Sequence, residues 1–165
     1  MYLIRPAAPA DIPEMLAFIR ELAEYEREPD SAVATAEDLL RDGFAEPKRF
    51  HALIAEWSEA EHAPKQPVGF ALFFYNYSTW RGHAGVYIED IFVRPAFRGK
   101  GIGKALLTRV AQIAVAERCP RLEWSVLDWN TPAIEFYRSL GAVSMSEWTI
   151  MRVSADALTK LGAQP

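Results

Sequence analysis

The sequence predicts an α/β chain of the α+β kind, a mixed sheet flanked by helices, and three observations lead there. Runs rich in β-branched and aromatic residues crowd the first half, where two of them read as a hairpin, whereas the second half alternates strand and helix. Half of the 165 residues are apolar and 24% are charged, which supplies a packed core without the composition of a disordered chain. That length fits a single domain over 1–165.

Each element follows from its local pattern. Tyr2 to Arg5 reads as a first strand and Pro6 to Ala10 as a turn. Asp11, with Glu14 three residues on, can cap a helix whose apolar positions Ile12, Met15, Leu16, Ile19, Leu22 and Ala23 keep helical spacing to about Tyr25. Pro13 is tolerated there because first-turn amides lack partners anyway. After the acidic loop Glu26 to Asp30, a shorter helix runs from near Thr35 to near Gly43. Phe50 to Trp57 and Val68 to Tyr77 are the two hairpin strands, joined by the polar stretch Ser58 to Pro67, and Val86 to Val93 is a further strand ended by Pro95. A helix with Ile102, Leu106, Val110, Ile113 and Ala114 on one face runs to near Cys119-Pro120. Leu122, Trp124 and Val126 alternate as a strand. Asn130 caps a helix that turns Ala133, Phe136, Tyr137 and Leu140 inward and stops at Gly141, and Val143 to Val153 reads as a last strand, with or without an interruption, before a short amphipathic tail.

Composition limits the function classes. The longest apolar run, Val68 to Tyr75, is far short of the ~20 residues a membrane helix needs, and the N-terminus has no basic and apolar leader pattern, so a cytoplasmic protein with no membrane partner is expected. Cys119 is the single cysteine, which excludes an internal disulfide and a cysteine-based zinc cluster, and His51, His62 and His83 lack metal spacing, so no metal is expected. With a pI near 5.4 there is no general attraction to phosphate backbones, and nucleic acid is not an expected partner. The charge is divided along the chain. Residues 1–95 carry 16 Asp and Glu against 9 Lys and Arg, a net −7, while residues 96–165 carry 6 against 9, a net +3, so the first half suits cations and the second anions.

The second half also holds the clearest motif. Between Val93 and Lys104 a strand gives way to a glycine-studded turn and then to a helix N-terminus, an arrangement whose backbone amides and helix dipole favour a phosphate. A P-loop is excluded because Ala105 follows Lys104, and a dinucleotide fingerprint because its third glycine position, counted from Gly99, is Lys104. What fits is Arg-x-x-Gly-x-Gly, Arg98 to Gly103. One strand and one turn after that helix comes Asn130-x-x-Ala133-x-x-x-Tyr137-x-x-x-Gly141.

Together these two signatures resemble the GNAT superfamily of N-acetyltransferases. Over nearly the whole chain the sequence is similar to its spermidine/spermine (diamine) and thialysine acetyltransferase branch, through Arg20 to Glu26, Asp42-Gly43-Phe44, Ser78-Thr79-Trp80, Tyr87 to Val93 and Val126 to Asn130. It departs from that branch at Glu123-Trp124-Ser125 and is shortened around Ser146-Glu147-Trp148. The resemblance implies the GNAT acyl-CoA N-acyltransferase fold, with a central mixed, mostly antiparallel sheet. It also implies acetyl-CoA as cosubstrate, a small-molecule amine (polyamine, diamine or thialysine-like) as acceptor, and a homodimer. A peptide or protein acetyltransferase and a non-catalytic acyl-CoA-binding module are the alternatives.

The same resemblance assigns residues. Coenzyme A would be held by Ile91, Phe92 and Val93 of the strand, by Arg98, Gly99, Lys100, Gly101, Ile102, Gly103 and Lys104 of the turn and helix start, and by Asn130, Ala133 and Tyr137. The amine would be held by Tyr25, Glu26, Glu89 and Asp90. Chemistry adds reasons for two of these. A lysine-like amine has a pKa near ~10.4, so freeing its lone pair at pH 7 costs roughly 4.6 kcal/mol, and Glu89 would bind it or relay its proton through water. A phenol such as Tyr137, with an ordinary pKa near ~10, can protonate a leaving thiolate. On a regular strand Asp90 would face away from Glu89, unless a bulge intervened. Cys119, at a helix C-terminus where the dipole disfavours a thiolate, is no nucleophile, and direct transfer is expected.

Overall fold

The computed structural model describes residues 1–164. Its elements are β1 (Tyr2–Pro6), α1 (Ile12–Tyr25), α2 (Ala36–Phe44), β2 (His51–Trp57), β3 (Gln66–Ser78), β4 (His83–Val93), α3 (Ile102–Ala116), β5 (Leu122–Trp124), α4 (Thr131–Ser139) and α5 (Ala155–Gly162). The strands form one sheet in the order β1-β2-β3-β4-β5, antiparallel except for the parallel β4–β5 pair, so the sheet is mixed and mostly antiparallel as expected.

Met1–Leu127 make up one compact unit. In it α1 turns Ile12, Met15 and Phe18 onto Ile54, Phe70, Leu72 and Phe92, alternate residues on one face of the sheet. Phe18, which the expected helical stripe omitted, is fully buried like Met15 and stacks on Phe70 at 5.5 Å. The opposite face is covered by α3, whose Gly103 lies over Val93. Asp11 does not cap α1 through its side chain; its carboxylate accepts from the Ala8 amide and from both terminal nitrogens of Arg5, at 2.7 and 2.8 Å, and Arg5 also pairs with Glu56. A doubly held carboxylate is worth more to this corner than one cap bond. Thr35 and Asp38 form the capping box that starts α2.

A second unit starts at Asp128 and contains α4 and α5. Asn130 caps α4 by accepting from the Ala133 amide, and Gly141, at φ 91°, ends it with the Gly141 amide on the Arg138 carbonyl and the Ala142 amide on the Tyr137 carbonyl. Leu140, expected to face inward, is exposed. No strand forms over Val143 to Val153. The apolar alternation is there, but Val143, Met145, Ile150 and Met151 are all exposed and no ladder partner takes their amides, and a strand exists only by pairing.

Candidate active site

The register of β3 and β4 builds the centre of the site. Leu72 stands opposite Asp90, but the next residue, Phe73, stands opposite Ile88, so Glu89 is the extra residue of a β-bulge. The alternation expected of a regular strand is thereby broken. Glu89 is exposed, whereas Asp90 is drawn inward, and burial, reinforced by the carboxylates of Glu89 and Glu26, pushes the Asp90 carboxyl up to about 6.

Glu26 follows the last residue of α1. Of the four carboxylates in the acidic run from Glu24 to Asp30 it is the one turned inward, and burial raises its pKa as well. Glu24, Glu28 and Asp30 stay in solvent. Tyr25, the last residue of α1, lies under the Arg98 guanidinium, 4.8 Å from its ring centre.

Beyond the bulge, β4 loses its neighbour. β5 pairs only with Val86, Tyr87 and Ile88, so from Glu89 to Val93 that edge of β4 has no strand beside it among the described residues. Ile91, Phe92 and Val93 therefore present an uncovered strand edge, to which an extended chain can be added.

β4 leads through a short turn at Pro95–Phe97 into the glycine loop. Gly99 and Gly101 take φ values of 75° and 80°, conformations that suit glycine, and a Cβ on either would meet nothing within 4 Å. The first backbone bond of α3 runs from the Ala105 amide to the Gly101 carbonyl, leaving the amides of Ile102, Gly103 and Lys104 without an intrahelical acceptor. Residues 95–116 hold Arg98, Lys100, Lys104 and Arg109 and no Asp or Glu. A positive, unshielded set of amides beside a free strand edge fits the pyrophosphate and the amide-bearing arm of coenzyme A.

Three basic side chains around this loop have partners that sequence reasoning did not find. Lys100 sits over the Trp57 ring at 5.0 Å, and Phe97 packs against the same ring. Arg98 donates through Nε to the Val93 carbonyl at 2.9 Å. Arg94 donates to both oxygens of Glu21, to Glu14 and to the Pro67 carbonyl, and covers Phe18, so it rivets the end of β4 to α1. Apart from the Arg98–Val93 bond, these contacts join residues far apart in the chain, and no local spacing announces them.

Asn130, Ala133 and Tyr137 belong to the second unit. The Asn130 side chain is buried and caps α4, and the half-buried Tyr137 ring packs against Phe136 at 5.3 Å. Glu123 is held by Asn76 and Arg121 at 3.0 Å each, and Ser125 shares a 2.7 Å hydrogen bond with the Tyr87 hydroxyl. Burial and the neighbouring Glu117 push the Cys119 thiol up, which keeps it a poor nucleophile. No three His, Cys, Asp or Glu side chains are gathered for a metal ion among the described residues, and no helix is long and apolar enough to cross a membrane.

Comparison with known proteins places the chain among acyl-transfer enzymes. Residues 15–142 match the Acetyltransferase (GNAT) family. A thialysine N-epsilon-acetyltransferase from Bos taurus is 40% identical over 167 residues, covering 98% of both chains. A spermidine/spermine N(1)-acetyltransferase-like protein from Homo sapiens is 38% identical over 161 residues, which is 95% of this chain and 23% of that one. Among solved structures, an integron cassette protein from the mobile metagenome of V. cholerae superimposes with a TM-score of 0.78 at 28% identity, covering 99% of this chain and 98% of that one.

Proposed function

The chain belongs to the acetyltransferase (GNAT) family, and from that premise we propose its substrate class and the residues that serve it. It is an N-acetyltransferase that uses acetyl-CoA. The acceptor is a small amine with two or more positive charges, polyamine, diamine or thialysine-like. One observation carries this reading. The Asp90 carboxyl lies within electrostatic reach of both Glu89 and Glu26, at the bulge where β4 becomes uncovered on its way to the glycine turn. Three carboxylates in one region repel, and a cation with more than one charge relieves that repulsion.

Acetyl-CoA, when bound, supplies the acetyl group as a thioester. The amides of Gly101 to Lys104 hold its pyrophosphate, and the free edge of Ile91, Phe92 and Val93 takes its extended arm and offers an amide to the carbonyl. Tyr25, Glu26 and Asp90 hold the ammonium end of the acceptor. Glu89, being exposed, is suited to passing the amine's proton to water, since a carboxylate held tightly against the nitrogen would stabilise the charged, unreactive form. In this proposal Tyr137 would protonate the departing thiolate, and Asn130, which caps α4, and Ala133 would serve the cofactor as the resemblance implies. No metal enters this scheme. The match over residues 15–142 crosses the boundary between the two units, which supports one catalytic domain, and a cytoplasmic homodimer completes the proposal.

An amine panel read by released CoA thiol tests the proposal. Di- and polyamines should be acetylated with kcat/KM at least about tenfold above monoamines of the same length, the scale of one relieved charge contact. Preference for peptides, or CoA binding without turnover, would replace it with one of the two alternatives.

A further inference from the structure

We propose that Arg98 is a positioning residue for the amine: its side chain ties the last turn of α1 to the cofactor loop, so that Tyr25 is set by the conformation of the glycine turn. This rests on the reading of Tyr25 and Glu26 as part of the amine site. The geometry is specific. Arg98 opens the Arg-x-x-Gly-x-Gly turn, yet its side chain folds back from the glycines. Its Nε donates to the Val93 carbonyl at 2.9 Å, and its guanidinium lies 4.8 Å over Tyr25 and 5.7 Å from the Phe92 ring centre. One planar cation thus fixes the end of β4, the start of the cofactor loop and the end of α1.

Two features make the link functional rather than a support of the whole fold. Arg98 and Tyr25 are both exposed, outside the buried cluster that α1 makes with the sheet, so their contact adds little to global stability. The anchoring of α1 is already provided by Arg94 through Glu21 and Glu14. What Arg98 adds is the orientation of one ring and, through it, of Glu26 on the next residue. A cation beside the carbonyl end of α1 also matches the negative end of its dipole.

The test is a double-mutant cycle on Arg98 and Tyr25, read as kcat and KM for a diamine at saturating acetyl-CoA. Hydrogen exchange of the amides of residues 22–26, measured without either substrate, accompanies it. Arg98→Ala should raise KM for the diamine by about fivefold or more, the scale of a cation–π contact with its accompanying hydrogen bond, and leave kcat within about threefold. Tyr25→Ala should do likewise, and the double variant should be no worse than the worse single one. Arg98→Lys, which keeps a cation over the ring, should recover part of the loss, and Arg98→Ala should speed exchange at residues 22–26. If Tyr25→Ala raises KM but the two losses multiply, the amine site stands and the positioning role falls. If Tyr25→Ala leaves KM unchanged while exchange quickens, the contact is real and the amine-site reading falls, taking the proposal with it. Exchange that is unaltered in Arg98→Ala also overturns it.

Discussion

The Asp90 carboxyl lies within electrostatic reach of the Glu26 carboxylate, although one sits in a strand bulge and the other just past the end of a helix. Both carboxyls are pushed above the ordinary range, Asp90 to about 6, mainly because both are withdrawn from water. Burying two acids near each other opposes folding. Two such acids, one of them on the strand that leads into the glycine turn, are what the proposed cation site requires.

The first consequence is a stability gain on removing the charge. Burial pushes the Asp90 carboxyl up to about 6, above the ordinary 3.8, so between about pH 4 and 6 the folded protein holds a proton that the unfolded chain has lost. Stability therefore falls as pH rises through that window and stays lower above it. Asp90→Asn should raise stability by roughly 2 kcal/mol at pH 8, or about 4–8 °C in Tm, and by nothing near pH 4, as thermal melts across that range would show.

Amine binding should have the opposite pH dependence. 1,4-Diaminobutane keeps both charges from pH 5 to 8, so any change in its affinity over that range reports protein groups. Titration calorimetry should find the Kd rising about 3- to 10-fold as pH falls through 6 and Asp90 becomes neutral. In Asp90→Asn the affinity should be weak and flat over the same range. A wild-type affinity that does not change with pH would place the dication elsewhere.

Much of this was legible in the sequence, and the failures have physical causes. The order of elements follows from periodicity and caps, because α1, α3 and the hairpin bury long regular stripes. The glycine loop was legible because positive φ at Gly99 and Gly101 needs glycine, and a local demand leaves a local mark. The bulge at Glu89 was not, since the register between β3 and β4 is settled by both strands and not by residues 88–90 alone. The contacts of Arg94 and Arg98 with α1 escaped notice for the same reason: those partners are remote in sequence. Val143 to Val153 has a strand's alternation, but alternation does not supply a neighbouring strand.

The glycine loop allows fold and ligand effects to be separated. A Cβ on Gly103 would come no nearer than 3.9 Å to Val93, and its φ is not positive, so Gly103→Val should fold normally. It should nevertheless weaken CoA binding about tenfold or more in calorimetry, because the side chain would stand beside the amides proposed to hold the pyrophosphate. Gly101→Val should lose affinity too, with an added destabilisation of about 1–2 kcal/mol from a side chain at φ 80°. Wild-type CoA affinity in both variants would dissociate the loop from the cofactor.

Tyr137→Phe deletes a hydroxyl and leaves the ring on Phe136. If that hydroxyl delivers a proton to the thiolate, kcat should fall by roughly 10² while CoA affinity stays within a few-fold. Unchanged turnover, in conditions where chemistry limits the rate, would make Tyr137 a packing residue of α4.

Salt should rank the three acids. Glu89 is exposed, Glu26 is half-buried and Asp90 is the most enclosed, and attraction to a cation is screened in that order, with a Debye length near ~8 Å at physiological ionic strength. At low salt Glu26→Gln, Glu89→Gln and Asp90→Asn should each raise KM for a polyamine well above any change in KM for acetyl-CoA, since only the cation loses a partner. Raising the salt should erase most of the Glu89→Gln difference, reduce that of Glu26→Gln and leave that of Asp90→Asn nearly intact, because a charge shielded from ions keeps its interaction. A singly charged amine separates binding from chemistry. It should respond weakly to Glu26→Gln, whose work is to hold a further charge, yet still lose kcat in Glu89→Gln if that carboxylate relays the proton. Equal losses for both amines in all three variants at every salt concentration would mean that these carboxylates are a solvated surface, and the acceptor would then have to be a less cationic amine bound elsewhere along β4.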